Sequence, residues 1–292
     1  MAESYKLIFY KADLSFEAEA CHHYGLAMVS GLSYLSIAVA DMQRGRYIAM
    51  YHLVRQESYH NTEQPAFGIF LDEVTVYLPW LKNSFKSLRI AFNASCHTLV
   101  PDALFDPEQA GSYLELMYGP LPGHTIMAEP VEVLDAHQVF AVPEEVPVAF
   151  KRHFPRSRLI SHATVLIHAI WANHSRIHTL KVFLHIRHEA IDIMVFDGKQ
   201  VSFINSFAWR SPEDILYYVV FVMEQLNLNP EVVPVVVSGD TEGKGALMDM
   251  IFTYVRHVEF AKRSNIYRFS AVLDEIPPHS RFLLFNLLTC GL

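Results

Sequence analysis

The chain has 292 residues, of which 51% are apolar and 18% charged, with a formal net charge of -8. That length suits one large domain or two of ordinary size, and the apolar share excludes a disordered chain. The acidic balance excludes a general nucleic-acid binder, which carries a basic face, and leaves room only for a local basic patch.

The opening residues MAESYKLIFYKADLSFEAEA hold acids throughout and no unbroken apolar core, so no secretory signal is expected. The longest apolar run, Ile215 to Met223, is nine residues, against the roughly 20 that a spanning helix needs. Cys21, Cys96 and Cys290 are far apart and form no CxxC pair. A reducing cytosol is the expected compartment.

In chain order, the first clear signal is LSYLSIAVADMQRGRYIAMYHLV, residues 32–54. Two apolar runs flank Gln43-Arg44-Gly45-Arg46, which predicts a β-hairpin turning at Gly45. Phe67, Phe70, Leu71 and Val74 follow at helical spacing. KSLRIAFNAS predicts a strand. DPEQAGSYLELMYG predicts a helix with Asp106 as cap, Pro107 at its first position and Gly119 past its end. TIMAEPVEVL and AHQVFAVP predict strands, and PEEVPVAFKRHFP a short helix stopped at Pro155.

The second half begins with RLISHATVLIHAIWANHS, a helix capped by Ser161. Residues 179–209 predict three strands, with Asp197-Gly198 as a hairpin turn. SPEDILYYVVFVMEQLNL is a long helix with Ser211 as cap, Pro212 at its first position and acids in its first turn. VVPVVVSG lacks alternation, so both its faces are expected to be covered. A helix from about Lys244 to Tyr254 and the strand HVEFA complete the series.

Three meandering strands followed by a helix and a parallel strand form the core of a ribonuclease-H-like unit. Two such halves give an α/β fold of actin-like architecture with two lobes and mixed sheets, expected here as residues 1–155 and 156–292. At FINSFAWRSPEDILYYVVFVMEQLNLNPEVVPVVVSGD the chain resembles an uncharacterised bacterial family with an actin-like ATPase fold. More distantly it is similar to actin-like proteins of type IV pilus assembly and type II secretion. The resemblance covers residues 181–260 best, and the first half mainly through GLSYLSIAVADMQRGRYIAMYHLV. It implies two lobes with a cleft between them and no particular activity, because this fold hosts both enzymes and inert scaffolds.

VVPVVVSGDTEGKGALMDMIFTYV has the outline of a phosphate loop. A Walker motif needs four residues between its glycines, then Lys and Ser/Thr. Gly239 and Gly243 have three between them, Lys244 is followed by Gly245, and Asp240 and Glu242 would repel a phosphate. The actin-like resemblance implies three separate loops instead. For the first, Asp41 is the candidate surviving acid, without the glycine and hydroxyls that normally follow. In the second, His185 stands at the acid position and Arg187 at the glycine position, with Arg187 a candidate phosphate contact. The third is Ser238 to Gly243, with Gly239, Asp240 and Gly243 as candidates and Gly239 expected at positive φ.

With two of three loops altered, the expectation is a non-catalytic protein with a degenerate nucleotide cleft. It would be a cytosolic interaction or regulatory module with an unidentified protein partner, no nucleic acid and no resident cofactor. The alternative is a divergent ATP- and Mg²⁺-dependent phosphotransferase or ATPase. No metal site is expected: His185 and His188 would point to opposite faces of a strand, His188-Glu189 lacks the second His of HExxH, and His174 with His178 is one pair where a structural zinc takes four ligands. No GxSxG elbow is present; VSGD, with Ser238, lacks the second glycine.

Overall fold

A computed structural model of the protein describes residues 5–55, 67–174, 179–188, 190–198, 200–241 and 245–290. Gly243, Glu189, His178 and Lys244 lie outside the described residues.

The first sheet is built from β1 (Tyr5–Ala12), β2 (Tyr24–Ser30), β3 (Tyr34–Asp41) and β4 (Arg46–Arg55), with α1 (Phe67–Tyr77) leading to β5 (Ser87–Phe92). An inserted unit follows: β6 (Cys96–Pro101), α2 (Ala110–Tyr118), β7 (His124–Val131) and β8 (Ala136–Pro143), which form a separate three-stranded sheet in the order β6-β8-β7. Then come α3 (Glu145–His153), β9 (Leu159–Ser161) and α4 (His162–His174). The second sheet holds β10 (Leu180–Ile186), β11 (Ala190–Asp197), β12 (Gln200–Ala208), α5 (Pro212–Gln225), β13 (Val235–Gly239), α6 (Ala246–Tyr254) and β14 (Val258–Phe260). The chain closes with β15 (Arg268–Phe269) and α7 (Phe282–Asn286).

The duplication is explicit in the strand orders. The first sheet runs β1-β4-β3-β2-β5-β9 and the second β12-β11-β10-β13-β14. Without β1, each is a three-strand antiparallel meander whose first strand pairs in parallel with the strand after the helix: β2 with β5, and β10 with β13. The expected pair of mixed-sheet lobes is therefore present.

Local chemistry sets these elements. Gly45 and Gly198 take the left-handed conformation, φ 61° and 58°, at the two hairpin turns expected to contain them. Ser211 and Asp214 form a capping box on α5, with Pro212 at its first turn. β13 is buried along its whole length, as its unalternating sequence requires.

Three features differ from the sequence reading. β1 and β2 lack a signal strong enough to register, although β2 is buried at all seven positions. The lobes do not divide at 155/156, because β9 pairs with β5 and so extends the first sheet to Ser161. The C-terminal stretch, assigned by sequence to the second lobe, returns to the first: β15 pairs with β4, and the Tyr47 hydroxyl donates to the Phe285 carbonyl at 2.9 Å. Phe282 to Phe285, Leu287 and Leu288 are buried in the core shared by α4 and the inner faces of both sheets.

Candidate functional site

Strands β2 and β10 occupy equivalent places in the two lobes, so the turns that follow them are the equivalent loops facing the cleft. In the first lobe that turn is Gly31 to Ser33, between β2 and β3, and not the β3–β4 hairpin. Asp41 pairs with Tyr24 at the other end of β3 from Leu35, which pairs with Ser30. Seven strand steps separate Asp41 from Tyr34, about 23 Å. The Asp41 carboxylate instead closes its own turn, accepting from the Gln43 and Arg44 backbone N–H groups at 2.9 Å each. Asp41 is therefore not a cleft residue. The true turn carries Gly31 and Ser33, tightened by Gly31 N–H to Tyr34 O at 3.2 Å and by the Ser30 hydroxyl donating to Gly31 O at 2.8 Å.

In the second lobe, Arg187 begins the β10–β11 turn and donates its N–H to Ala190 O at 2.8 Å. As a candidate phosphate contact it would present its guanidinium to the cleft. Instead Arg187 is buried, and its Nε and Nη2 donate in parallel to the two carboxylate oxygens of Asp192, each at 2.9 Å. The guanidinium that could have met a phosphate is committed to a carboxylate.

A polar network surrounds the pair. His162 at the start of α4 contacts Asp192 Oδ1 through Nε2 at 3.2 Å. The Ser206 hydroxyl on β12 donates to the same oxygen. His97 on β6 contacts Ser206 Oγ through Nε2 at 2.6 Å, and its Nδ1 contacts Gln138 Nε2 on β8 at 3.0 Å. His185 on β10 contacts Ser238 Oγ on β13 at 2.9 Å. The network thus joins the inserted sheet to α4 and the second lobe.

Burial pushes His97 and His185 down to about 3, so both rings are neutral at neutral pH. Burial alone would raise the Asp192 carboxyl, but Arg187 and His162 outweigh it and hold it well below the usual carboxylate range. Nitrogens of His97 and His162 and an oxygen of Asp192 lie within 4.8 Å of one another, a convergence the sequence reading missed. Both Asp192 oxygens already accept from Arg187, and that fixed positive charge opposes a second cation on the same carboxylate.

The third loop follows β13. Gly239 has φ 99°, and a Cβ there would stand 2.1 Å from the Ile186 carbonyl oxygen. Its N–H donates to His279 O at 2.9 Å, and the Asp240 N–H to Ile186 O at 2.7 Å. The requirement for glycine expected at this position is present in both forms, positive φ and close backbone approach. Asp240 accepts from Arg281 Nη1 at 3.0 Å, and Arg281 is itself held in the left-handed region, φ 54°.

The outer cleft is a cavity of about 350 Å³ lined by Ser33, Tyr34, His52, His188, Asp240, Thr241, Ser280 and Arg281. Its size lies at the small end of the range for ligand sites. The inner cleft, bounded by Asn93, Arg187, Gly239 and the C-terminal residues Arg281 to Leu284, is only about 30 Å³. That is space for a water or two. Burial, with Arg281 and His188 adding to it, pushes His52 on the outer wall down to about 3. Of the sequence-stated candidates, then, Gly239, Asp240 and Arg187 gather at the cleft, while Asp41 does not. Sequence reasoning missed Ser33, Tyr34, His52 and Arg281. Asp192, a lone acid inside the apolar run AIDIMVF, was the one legible clue to the buried network, since isolated acids are rarely buried.

The family model described as "Protein of unknown function (DUF3822)" matches residues 13–258. No curated protein matches. Among solved structures, a Bacteroides thetaiotaomicron protein with actin-like ATPase fold and unknown function superposes with TM-score 0.79 at 20% identity, covering 94% of this chain and 99% of that one. A PilM-PilN type IV pilus biogenesis complex matches with TM-score 0.56 at 13% identity, covering 91% and 97%. The fold is actin-like.

Proposed function

We propose that this chain, which belongs to the DUF3822 family of proteins of unknown function, acts by binding another protein and not by turning over a nucleotide. The observation that carries this reading is the Arg187–Asp192 pair. Phosphoryl transfer depends on positioned charge around Mg²⁺ and the transferred group. Here the turn of the second lobe spends its cation on an internal carboxylate, and His185 replaces an oxygen ligand with a neutral ring, whereas Mg²⁺ takes oxygen ligands. The C-terminal residues Phe282 to Leu284 narrow the inner cleft further.

The binding half of the reading is supported by the inserted unit. Leu104, Leu116 and Met117 are exposed on or beside α2, and grouped exposed apolar side chains mark contact surfaces. The similar PilM structure is described as a complex with PilN, which is the kind of role proposed here. The chain would work in the cytoplasm.

Calorimetry and phosphate-release assays with ATP, with and without Mg²⁺, test the first half; micromolar binding or Mg²⁺-dependent release would overturn it. Cross-linking of the tagged chain in its own cells tests the second. A stoichiometric partner lost in Leu116→Glu/Met117→Glu is expected, and a chain that cross-links to no protein refutes it. The outer cavity favours one second reading, a small polar ligand held by Arg281, Ser33 and Thr241, which the same calorimetry would detect with a panel of nucleotides.

A further inference from the structure

The two stretches PWLKNSFK (79–86) and KRHFPRSR (151–158) hold six of the chain's 23 Lys and Arg residues and none of its 31 acids. Subtracting those six charges leaves the remainder of the chain at -14 against the overall -8. The fold brings the two stretches together. β5 and β9 pair in parallel with Ile90 opposite Leu159, so counting back three residues sets Ser87 level with Arg156. Lys86 N–H donates to Tyr24 O at 2.9 Å, and Asn83 Nδ2 to Ala18 O at 2.8 Å. The β3–β4 turn joins the same rim through Gln43 and His23, 2.9 Å apart.

The result is a cationic end on the first lobe where β2, β5 and β9 begin, away from the cleft. Lys82, Lys86, Lys151, Arg152, Arg156 and Arg158 are all exposed there. Arg152 is matched by Asp72 at 2.7 Å, and Lys151 donates to the Pro155 carbonyl. Lys82, Lys86 and Arg156 form no ion pair with a described residue. Besides Asp72, the acids near this end among the described residues include Glu17 and Glu19, exposed, Glu129, buried near Arg158, and Asp41, which is taken by its own turn and by Arg44 at 3.6 Å.

We propose that this cationic end of the first lobe docks on the anionic headgroups of a lipid membrane surface. The charges come from the ends of neighbouring connections spread over about four strand spacings, roughly 20 Å, a broad face suited to a lipid surface. The outer and inner cavities of the cleft lie elsewhere. Trp80 and Phe85 stand half-buried at the same rim, their rings 6.3 Å apart, and amphipathic aromatic rings suit the headgroup layer. The strongly negative remainder is repelled by an anionic surface, so only this end can face it. Docking leaves the cleft open, and the proposal is independent of whether the cleft binds anything.

Co-sedimentation of the full chain with phosphatidylcholine vesicles, with and without phosphatidylglycerol, tests it. Binding to the anionic vesicles alone is expected, weakening as salt screens it. Lys82→Glu/Lys86→Glu/Arg156→Glu should lower affinity by at least about 100-fold, since each basic residue near an anionic surface contributes about a factor of five. A matched reversal of three exposed charges on the second lobe, Arg210→Glu/Arg256→Glu/Lys262→Glu, should leave most of the binding intact. Thermal melts confirm that both variants fold, and Lys82→Gln/Lys86→Gln/Arg156→Gln serves if the reversal does not. No binding to anionic vesicles, or equal losses in the two reversals, overturns the proposal. Capture of polyglutamate without vesicle binding also overturns it, in favour of an acidic protein segment.

Discussion

Arg187 and Asp192 face each other across the β10–β11 turn through two parallel hydrogen bonds of 2.9 Å, and neither side chain reaches solvent appreciably. His185, directly opposite Asp192 in the β10–β11 register, stays neutral beside them. The second-lobe loop is thus closed by its own charges. A buried pair of this kind contributes little net stability while intact, but removing one partner strands the other in a low-dielectric setting.

Asp192→Ala should therefore cost about 3–5 kcal/mol, and Arg187→Met a comparable amount. The double variant Arg187→Met/Asp192→Leu should recover much of that loss, because no charge is left unpaired. Urea unfolding of the three proteins measures this directly. Additive losses in the double variant would show that the pair is not coupled.

The histidines set the acid limb of stability. His52, His97 and His185 are each pushed down to about 3, chiefly by burial. Unfolded, each takes up a proton near 6.5. A depressed folded value gives stability that is complete above the unfolded value and is lost as pH falls toward the folded one. Stability should thus fall from about pH 6.5 downward, by up to about 1.4 kcal/mol per histidine per pH unit. Asp192 adds almost nothing to this window, since its contribution is lost only as pH falls through the ordinary value of an unfolded aspartate, about 3.9, toward its lowered folded value. Denaturant midpoints between pH 7.5 and 4.5 check it, and His97→Gln should flatten the slope.

Gly239 offers a sharper test of backbone demand. Its φ of 99° and the Ile186 carbonyl 2.1 Å from a built Cβ leave no space for a side chain. Gly239→Ala should destabilise by roughly 1–3 kcal/mol or more through strain. Gly45→Ala shares the positive φ but meets nothing within 4 Å, so it should cost only about 1 kcal/mol. Thermal melts that rank the two variants in the reverse order would refute the close-approach argument.

How the sequence misplaced Asp41 follows from turn chemistry. The β3–β4 turn holds Gln43-Arg44-Gly45 between long apolar runs, a strong hairpin signal. β2, YGLAMVS, contains glycine, alanine and methionine, poor strand formers on local preference, and is a strand because both its neighbours bury it. With β2 unseen, the first recognisable hairpin was counted as the first of the lobe, one strand too late. The second lobe escaped this error because β10 to β12 are rich in β-branched and aromatic residues. The C-terminal plug and the His97–Ser206 contact were illegible for another reason: they pair residues more than 100 positions apart, which no local pattern encodes.

The last expectation concerns the cleft itself. A triphosphate with Mg²⁺ needs room behind the two turns and oxygen ligands beside them. The inner cavity of about 30 Å³ gives neither room nor a free carboxylate, and Asp41, about 23 Å along its strand from the cleft-facing end, cannot supply one. Any nucleotide would be confined to the outer cavity, where Arg281 is the only fixed cation among the lining residues and is partly neutralised by Asp240. Affinity for ATP should then be no better than about millimolar, equivalent to roughly 4 kcal/mol, and insensitive to Mg²⁺. What weak binding exists should vanish in Arg281→Ala and persist in Asp41→Ala. Calorimetry showing Mg²⁺-dependent micromolar binding, or binding that depends on Asp41, would place a working phosphate site where Arg187 and Asp192 now close the loop.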